Sequence, residues 1–217
     1  MKRAVLVLLF CAFVLSMNMV AHAEVVVGVA PGKNESPKCE ELDEVMSGDL
    51  QNYIFGLCQD RYPDDEQKQK EYYAALIGLA EGESTFNPDA YNGKNKNGTV
   101  DRGLYQINSS NVKSLKKAGL ISSSEDLYDP KTAASCGDYM YSIGFDKYGF
   151  SRRSYDEYLY ADGKAHDNKY TRRVWNMQQS WYEKIWEGNN DDNCNSSTAL
   201  RSAHSDLHSV GQARQPY

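Results

Sequence analysis

The sequence predicts a mostly helical α+β fold with one small antiparallel β lobe. Two observations carry that prediction. Apolar residues recur at helical spacing in several long stretches, and between residues 91 and 108 this pattern gives way to turn chemistry. There Asn92-Gly93 and Asn97-Gly98 read as turn dipeptides flanking a Leu104-Tyr105-Gln106-Ile107 strand. At 217 residues the chain is long enough for one domain with a proper core and some unstructured sequence at its ends.

Taken in order, residues 24–38 carry Gly and Pro with little pattern and read as a leader or linker. From Glu40 to about Asp60, Leu42, Val45, Met46, Leu50, Ile54 and Leu57 mark a helix that Pro63 ends. Asp64-Asp65-Glu66 suit the start of a second helix, which runs to about Gly82. After the β region a helix follows Ser109-Ser110 and ends near Gly119. Asp129-Pro130 opens another that reaches about Tyr148. Two further helices cover roughly Ser154–Tyr160 and Asn168–Trp186. Residues 188–217 turn to Asn, Asp, Ser and His and are expected to form a polar, largely disordered tail, tethered only through Cys194.

The first 23 residues read as a signal peptide. Lys2 and Arg3 precede an apolar run from Ala4 to Leu15, and Ala21-His22-Ala23 supplies a cleavage site. The run is short and breaks at Ser16 and Asn18, which argues against a membrane anchor. The expected product is exported, periplasmic or secreted. Without this segment the chain has 22 basic against 30 acidic residues, a net charge of −8. Such acidity speaks against nucleic acid or an anionic membrane as partner. It also speaks against a freely roaming bactericidal enzyme and for a locally delivered or self-acting one. Four cysteines remain, Cys39, Cys58, Cys136 and Cys194, and in an exported chain an even number favours disulfides. The pairing expected is Cys39–Cys58 and Cys136–Cys194. No C-x-x-C spacing suggests zinc, and no metal or other cofactor is expected.

The residue that stands out is Glu83. With Tyr72 at zero on a helical wheel, Leu76 falls at about 40°, Leu79 at about 340° and Glu83 at about 20°, whereas Glu81 falls at about 180°, on the solvent side. Glu83 therefore extends the stripe that enters the core, and it does so at a helix C-terminus. Burial and the macrodipole both disfavour its charged form, which suits a general acid. Glu66, Glu71 and Glu81 read as solvated charges.

Glu83-Ser84-Thr85-Phe86-Asn87-Pro88-Asp89-Ala90 resembles the E-S-x-F-N-P-x-A signature of lytic transglycosylases in the lysozyme-like superfamily. Asp101-Arg102-Gly103-Leu104-Tyr105-Gln106-Ile107-Asn108 is similar to their G-L-x-Q-I element, in a form shared with c-type lysozymes and with small transglycosylases of secretion and conjugation machines. Leu127-Tyr128-Asp129-Pro130, Gly137-Asp138-Tyr139-Met140 and Tyr160-Ala161-Asp162-Gly163 resemble later motifs of the group, and the likeness spans roughly residues 65–186. Two positions depart from the pattern: Ala161 stands where the family has Asn, and Tyr105 where many members have Met. The c-type lysozyme cysteine framework is not reproduced.

The resemblance implies a lysozyme-like catalytic domain over residues 39–187 that cuts the β-1,4 bond between N-acetylmuramic acid and N-acetylglucosamine in peptidoglycan. It implies Glu83 as the acid and base that closes a 1,6-anhydro ring. Gln106 and Asn108 would bond the sugar, Tyr105 would wall a subsite, Tyr160 would hold Glu83, and Ser84 would orient the catalytic loop. Glycan strands would be the partner, with a secretion or conjugation assembly as a second one, and the protein would act as a monomer. A muramidase that uses Asp101 as second carboxylate is the alternative, because a retaining hydrolase needs a pair of carboxylates about 5–5.5 Å apart. A catalytically idle glycan-binding protein is the third reading. Asp89 reads as a loop cap, Trp175, Trp181 and Trp186 as core, Lys113, Lys116 and Lys117 as a solvated face, and His204 and His208 as tail residues.

Overall fold

In a computed structural model, residues 35–187 are described, and they are organised around one long helix. The helices are α1 (Glu40–Asp43), α2 (Gly48–Arg61), α3 (Glu66–Ser84), α4 (Val112–Lys117), α5 (Pro130–Tyr148), α6 (Arg152–Tyr160) and α7 (Lys169–Tyr182). A π turn, Glu183–Glu187, extends α7. The three strands, β1 (Tyr91–Asn92), β2 (Asp101–Arg102) and β3 (Ile107–Asn108), form one antiparallel sheet in that order. The expected signal peptide, the first part of the leader, the polar tail with Cys194, and His204 and His208 lie outside the described residues.

Local chemistry sets the helix boundaries. Pro63 has no N–H to donate, so α2 stops at Arg61, and the Asp65 side chain then caps α3 by accepting from the Lys68 amide. Asp129 caps α5 in the same way, through the Thr132 amide, with Pro130 at the first helical position. The single helix expected over residues 40–60 is broken. Ser47 adopts an extended backbone and accepts from the Leu50 amide, so that α2 begins afresh at Gly48. Serine at such a position is a better cap than interior residue, and the apolar pattern, which runs through it, gave no sign of the break.

α3 is buried on all sides from Tyr72 to Ala80, not along one stripe. Each fully enclosed Leu or Ile contributes roughly 1.5–3 kcal/mol. Two glycines let α7 press directly against it. A Cβ on Gly78 would sit 2.6 Å from the Gln178 backbone, and one on Gly82 would sit 2.6 Å from Val174 Cγ2. Gln178 is itself fully buried and donates to Ala75 O and to the Tyr141 hydroxyl, each at 3.0 Å, which joins α3, α5 and α7. Across the bundle Arg61 grips Asp138 with two bonds of 2.8 and 2.6 Å, and the Tyr72 hydroxyl donates to the same carboxylate at 3.0 Å. The pair is partly buried, and its two parallel bonds and the Tyr72 hydroxyl offset the loss of water around the carboxylate.

The sheet pairs Tyr91 with Arg102 and Asn92 with Asp101, then Asp101 with Asn108 and Arg102 with Ile107. The strand expected at Leu104–Ile107 is mostly turn: Gly103 has φ 72°, Gln106 has φ 45°, and only Ile107 belongs to β3. Left-handed backbone at Gln106 cannot continue a strand, and hydropathy does not report it. The expected Cys39–Cys58 bridge is not formed. The Cys58 thiol donates to Ile54 O at 3.2 Å, and burial pushes its pKa well above the ordinary range, with Asp138 acting in the same direction.

Candidate active site

Glu83 lies in the last turn of α3 with only 7% of its surface exposed, as the helical phase predicts. Its Oε1 accepts a 2.7 Å hydrogen bond from the Tyr155 hydroxyl of α6, in a fully buried contact. Burial first, then the neighbouring Glu83 charge and Tyr170, push the Tyr155 phenol well above its ordinary range, so it remains a donor. The Tyr155 ring stacks on Tyr158 at 6.3 Å and lies 6.1 Å from Tyr170.

The hydroxyl on Glu83 was expected from Tyr160. Tyr160 instead accepts from Asn168 Nδ2 at 3.1 Å and stacks on His166 with ring centroids 3.7 Å apart. Five residues separate the two tyrosines, which turns them about 140° apart on a helix. That phase was readable in the sequence and would have set them on different faces. Ala161, in place of the family's Asn, ends α6 in the left-handed region at φ 47°, where Asn is better tolerated than Ala.

The chain turns sharply after Glu83. Thr85 and Phe86 both have positive φ, 56° and 60°, which costs on the order of 1–2 kcal/mol for each non-glycine residue. α7 holds this turn in place. Trp181 Nε1 donates to Glu81 Oε2 at 2.8 Å, and its ring meets Phe86 edge-on at 5.8 Å, so one indole grips the chain on both sides of Glu83. Glu81 is therefore a tether and not the solvated charge that its phase suggested. Arg173 Nη2 donates to Gly82 O at 2.8 Å, and Ser84 Oγ bonds back to Ala80 O at 3.1 Å.

Asp101 is 5% exposed, and both of its oxygens are engaged. Oδ2 accepts from Asn92 Nδ2 at 2.9 Å and from Asn95 Nδ2 at 3.0 Å, and Oδ1 accepts from Asn108 Nδ2 at 2.7 Å. Thr99 Oγ1 joins the same network by accepting from Asn95 and Asn108. The Asn-rich run thus supplies amide donors to one carboxylate as well as turns, a role the turn dipeptides did not reveal. The bonds of Asn92, Asn95 and Thr99 in this network follow no fixed motif spacing, so the sequence does not announce them.

The three residues expected to bind sugar also make contacts of the fold. Tyr105 is fully buried, and its ring packs so tightly on Gly137 that a Cβ there would sit 2.9 Å away. Gln106 Nε2 donates to Ala90 O at 2.9 Å and Gly103 O at 3.1 Å, which closes the turn between β2 and β3 onto the segment before β1. Asn108 uses its amide hydrogens on Thr99 and Asp101 and its oxygen on the Ser110 amide at 3.0 Å.

Glu83 is thus a buried carboxyl at a helix end, and Asp101 a buried carboxyl bound by side-chain amides. The model of the transglycosylase SLT domain matches residues 63–180, more than half of the chain. The chain belongs to this family. Invasion protein IagB of Salmonella typhi is 32% identical over 118 residues, 53% of this chain and 72% of that protein. The IagB protein of Salmonella typhimurium strain LT2 is 33% identical over 103 residues, 46% and 63% respectively. Lysozyme C of Equus asinus is 61% identical over a shorter stretch of 36 residues, 17% of this chain and 28% of that one. Among solved structures, Bd0314 DslA aligns with a TM-score of 0.47 and 18% identity, over 70% of this chain and 98% of that chain. At the level of the family, this SLT-domain protein is a peptidoglycan-cleaving enzyme of the lytic transglycosylase type. Among the described residues no helix is long and apolar enough to cross a membrane.

Proposed function

We propose that the SLT-domain protein cleaves the β-1,4 bond between N-acetylmuramic acid and N-acetylglucosamine with Glu83 as its single acid and base. Protonated Glu83 donates to the leaving glycosidic oxygen. The resulting carboxylate takes the proton from the muramic acid 6-hydroxyl, whose oxygen closes onto C1 to give a 1,6-anhydro end. Tyr155 holds the carboxyl oriented through both steps.

The observation that carries this reading is the contrast between the two acids. Glu83 is buried with the Tyr155 hydroxyl on Oε1, whereas Asp101 is bound by three amide donors. Donors occupy both oxygens and weaken them as nucleophiles, which supports Asp101 as the hub of the β lobe. The lysozyme match favours the second reading, in which Asp101 assists a hydrolase.

Asp101→Asn separates the two. The new amide would point hydrogens at existing donors, so stability should fall by about 1–3 kcal/mol. Below its lowered melting range, the variant should still clear a suspension of purified cell walls at a rate within about tenfold of wild type. A folded variant with turnover reduced by a factor of about a thousand or more would support the hydrolase. Export through the signal peptide at residues 1–23, action in the periplasm or outside the cell as a monomer, and service to a secretion or conjugation assembly complete the proposal. The acidic charge and the likeness to a protein named for invasion support that last part.

A further inference from the structure

The general acid sits at the negative end of a helix, yet a cation is fixed to that same end. Arg173 comes from α7 and donates to Gly82 O, the carbonyl immediately before Glu83. Its guanidinium also lies over the Tyr170 ring, 5.3 Å from the centroid. Tyr170 in turn neighbours Tyr155, the residue whose hydroxyl holds Glu83. Two independent contacts therefore keep one positive charge beside the last turn of α3. The helices approach closely at Gly82 and Val174, next to Arg173, which is itself exposed.

We propose that Arg173 is a positioning residue that sets the proton affinity of Glu83, counteracting the helix terminus so that the group can give up its proton and then act as a base. The idea rests on the assignment of Glu83 as the acid. A cation near a carboxyl favours its ionised form, opposite in sign to burial and to the helix C-terminus. The other titratable or charged groups nearby come from each packed element. On α3 there is Glu81, bonded to Trp181. On α6 there are Tyr155 and Asp156, the latter accepting from the His166 amide. Tyr170 lies on α7, and Asp101, in the β lobe, is already bound by its three amides. Arg173 is the cation bonded to the backbone at the end of α3.

Arg173→Gln removes the charge while keeping a donor for Gly82 O, and Arg173→Lys keeps the charge. The alkaline limb of the pH profile for wall cleavage reports loss of the acid's proton. In Arg173→Gln it should move up by about half a pH unit, with the shift shrinking at high salt, while Arg173→Lys stays close to wild type. Titration of the Glu83 side-chain carboxyl by carbon NMR in the same variants reads the effect without activity. An unmoved limb and an unmoved titration in Arg173→Gln overturn the proposal, as does an equal shift in both variants. Failure of the underlying reading looks different: Glu83→Gln would then remain active, whatever Arg173 does.

Discussion

Glu83→Gln should abolish wall cleavage while leaving the fold intact. The amide is isosteric, and its carbonyl can still accept from the Tyr155 hydroxyl, so neither the α3 terminus nor the Thr85–Phe86 turn loses a contact. What is lost is the proton for the leaving oxygen. General acid catalysis contributes roughly 10²–10⁴ in rate, and because the same group also serves as the base, the loss should lie at the upper end of that range or beyond. Turbidity loss of purified cell walls, compared for wild type and variant at matched folded concentration, measures it. Equal rates would remove Glu83 from the chemistry.

The largest expected loss of stability is at Gly103. This residue has φ 72°, and a Cβ there would stand 1.9 Å from Leu127 O and 3.0 Å from its carbonyl carbon. Its amide also donates to Ala90 O at 2.8 Å. Gly103→Ala therefore combines left-handed strain with a clash against backbone, which no rotamer can relieve. It should cost about 3 kcal/mol or more and lower the melting temperature by roughly 10 °C. Thermal unfolding followed by circular dichroism tests this. A melting temperature within about 2 °C of wild type would show that the β lobe and the Ser124–Tyr128 turn separate at little cost.

What the sequence made legible follows the range of each interaction. Helix starts at Glu66 and Pro130 rest on neighbours within a few residues, and they fall where Asp65 and Asp129 predict. Glu83 could be chosen over Glu81 because both lie on one helix whose phase is known. The same phase does not reveal the bond of Glu81, since its partner Trp181 is a hundred residues away and α3 is enclosed on every side from Tyr72 to Ala80. Tyr155 reaches Glu83 while Tyr160, about 140° further round α6, accepts from Asn168, a phase that the motif does not encode. Tyr105, Gln106 and Asn108 carry a catalytic signature, and the same residues make contacts of the fold that the signature does not reveal. Those contacts, with Gly137, Ala90 and Asp101, are ones that only the closed fold creates. The Ser47 break and the left-handed Gln106 are backbone events that hydropathy does not encode.

The central claim is that ring closure, not water, resolves the cleaved bond at Glu83. Mass analysis of the fragments released from purified peptidoglycan tests it most directly. 1,6-Anhydro-muramic ends, lighter by one water than the hydrolytic product, are the predicted result. Reducing muramic acid ends throughout would contradict it and return Asp101 to the role of second catalytic carboxylate.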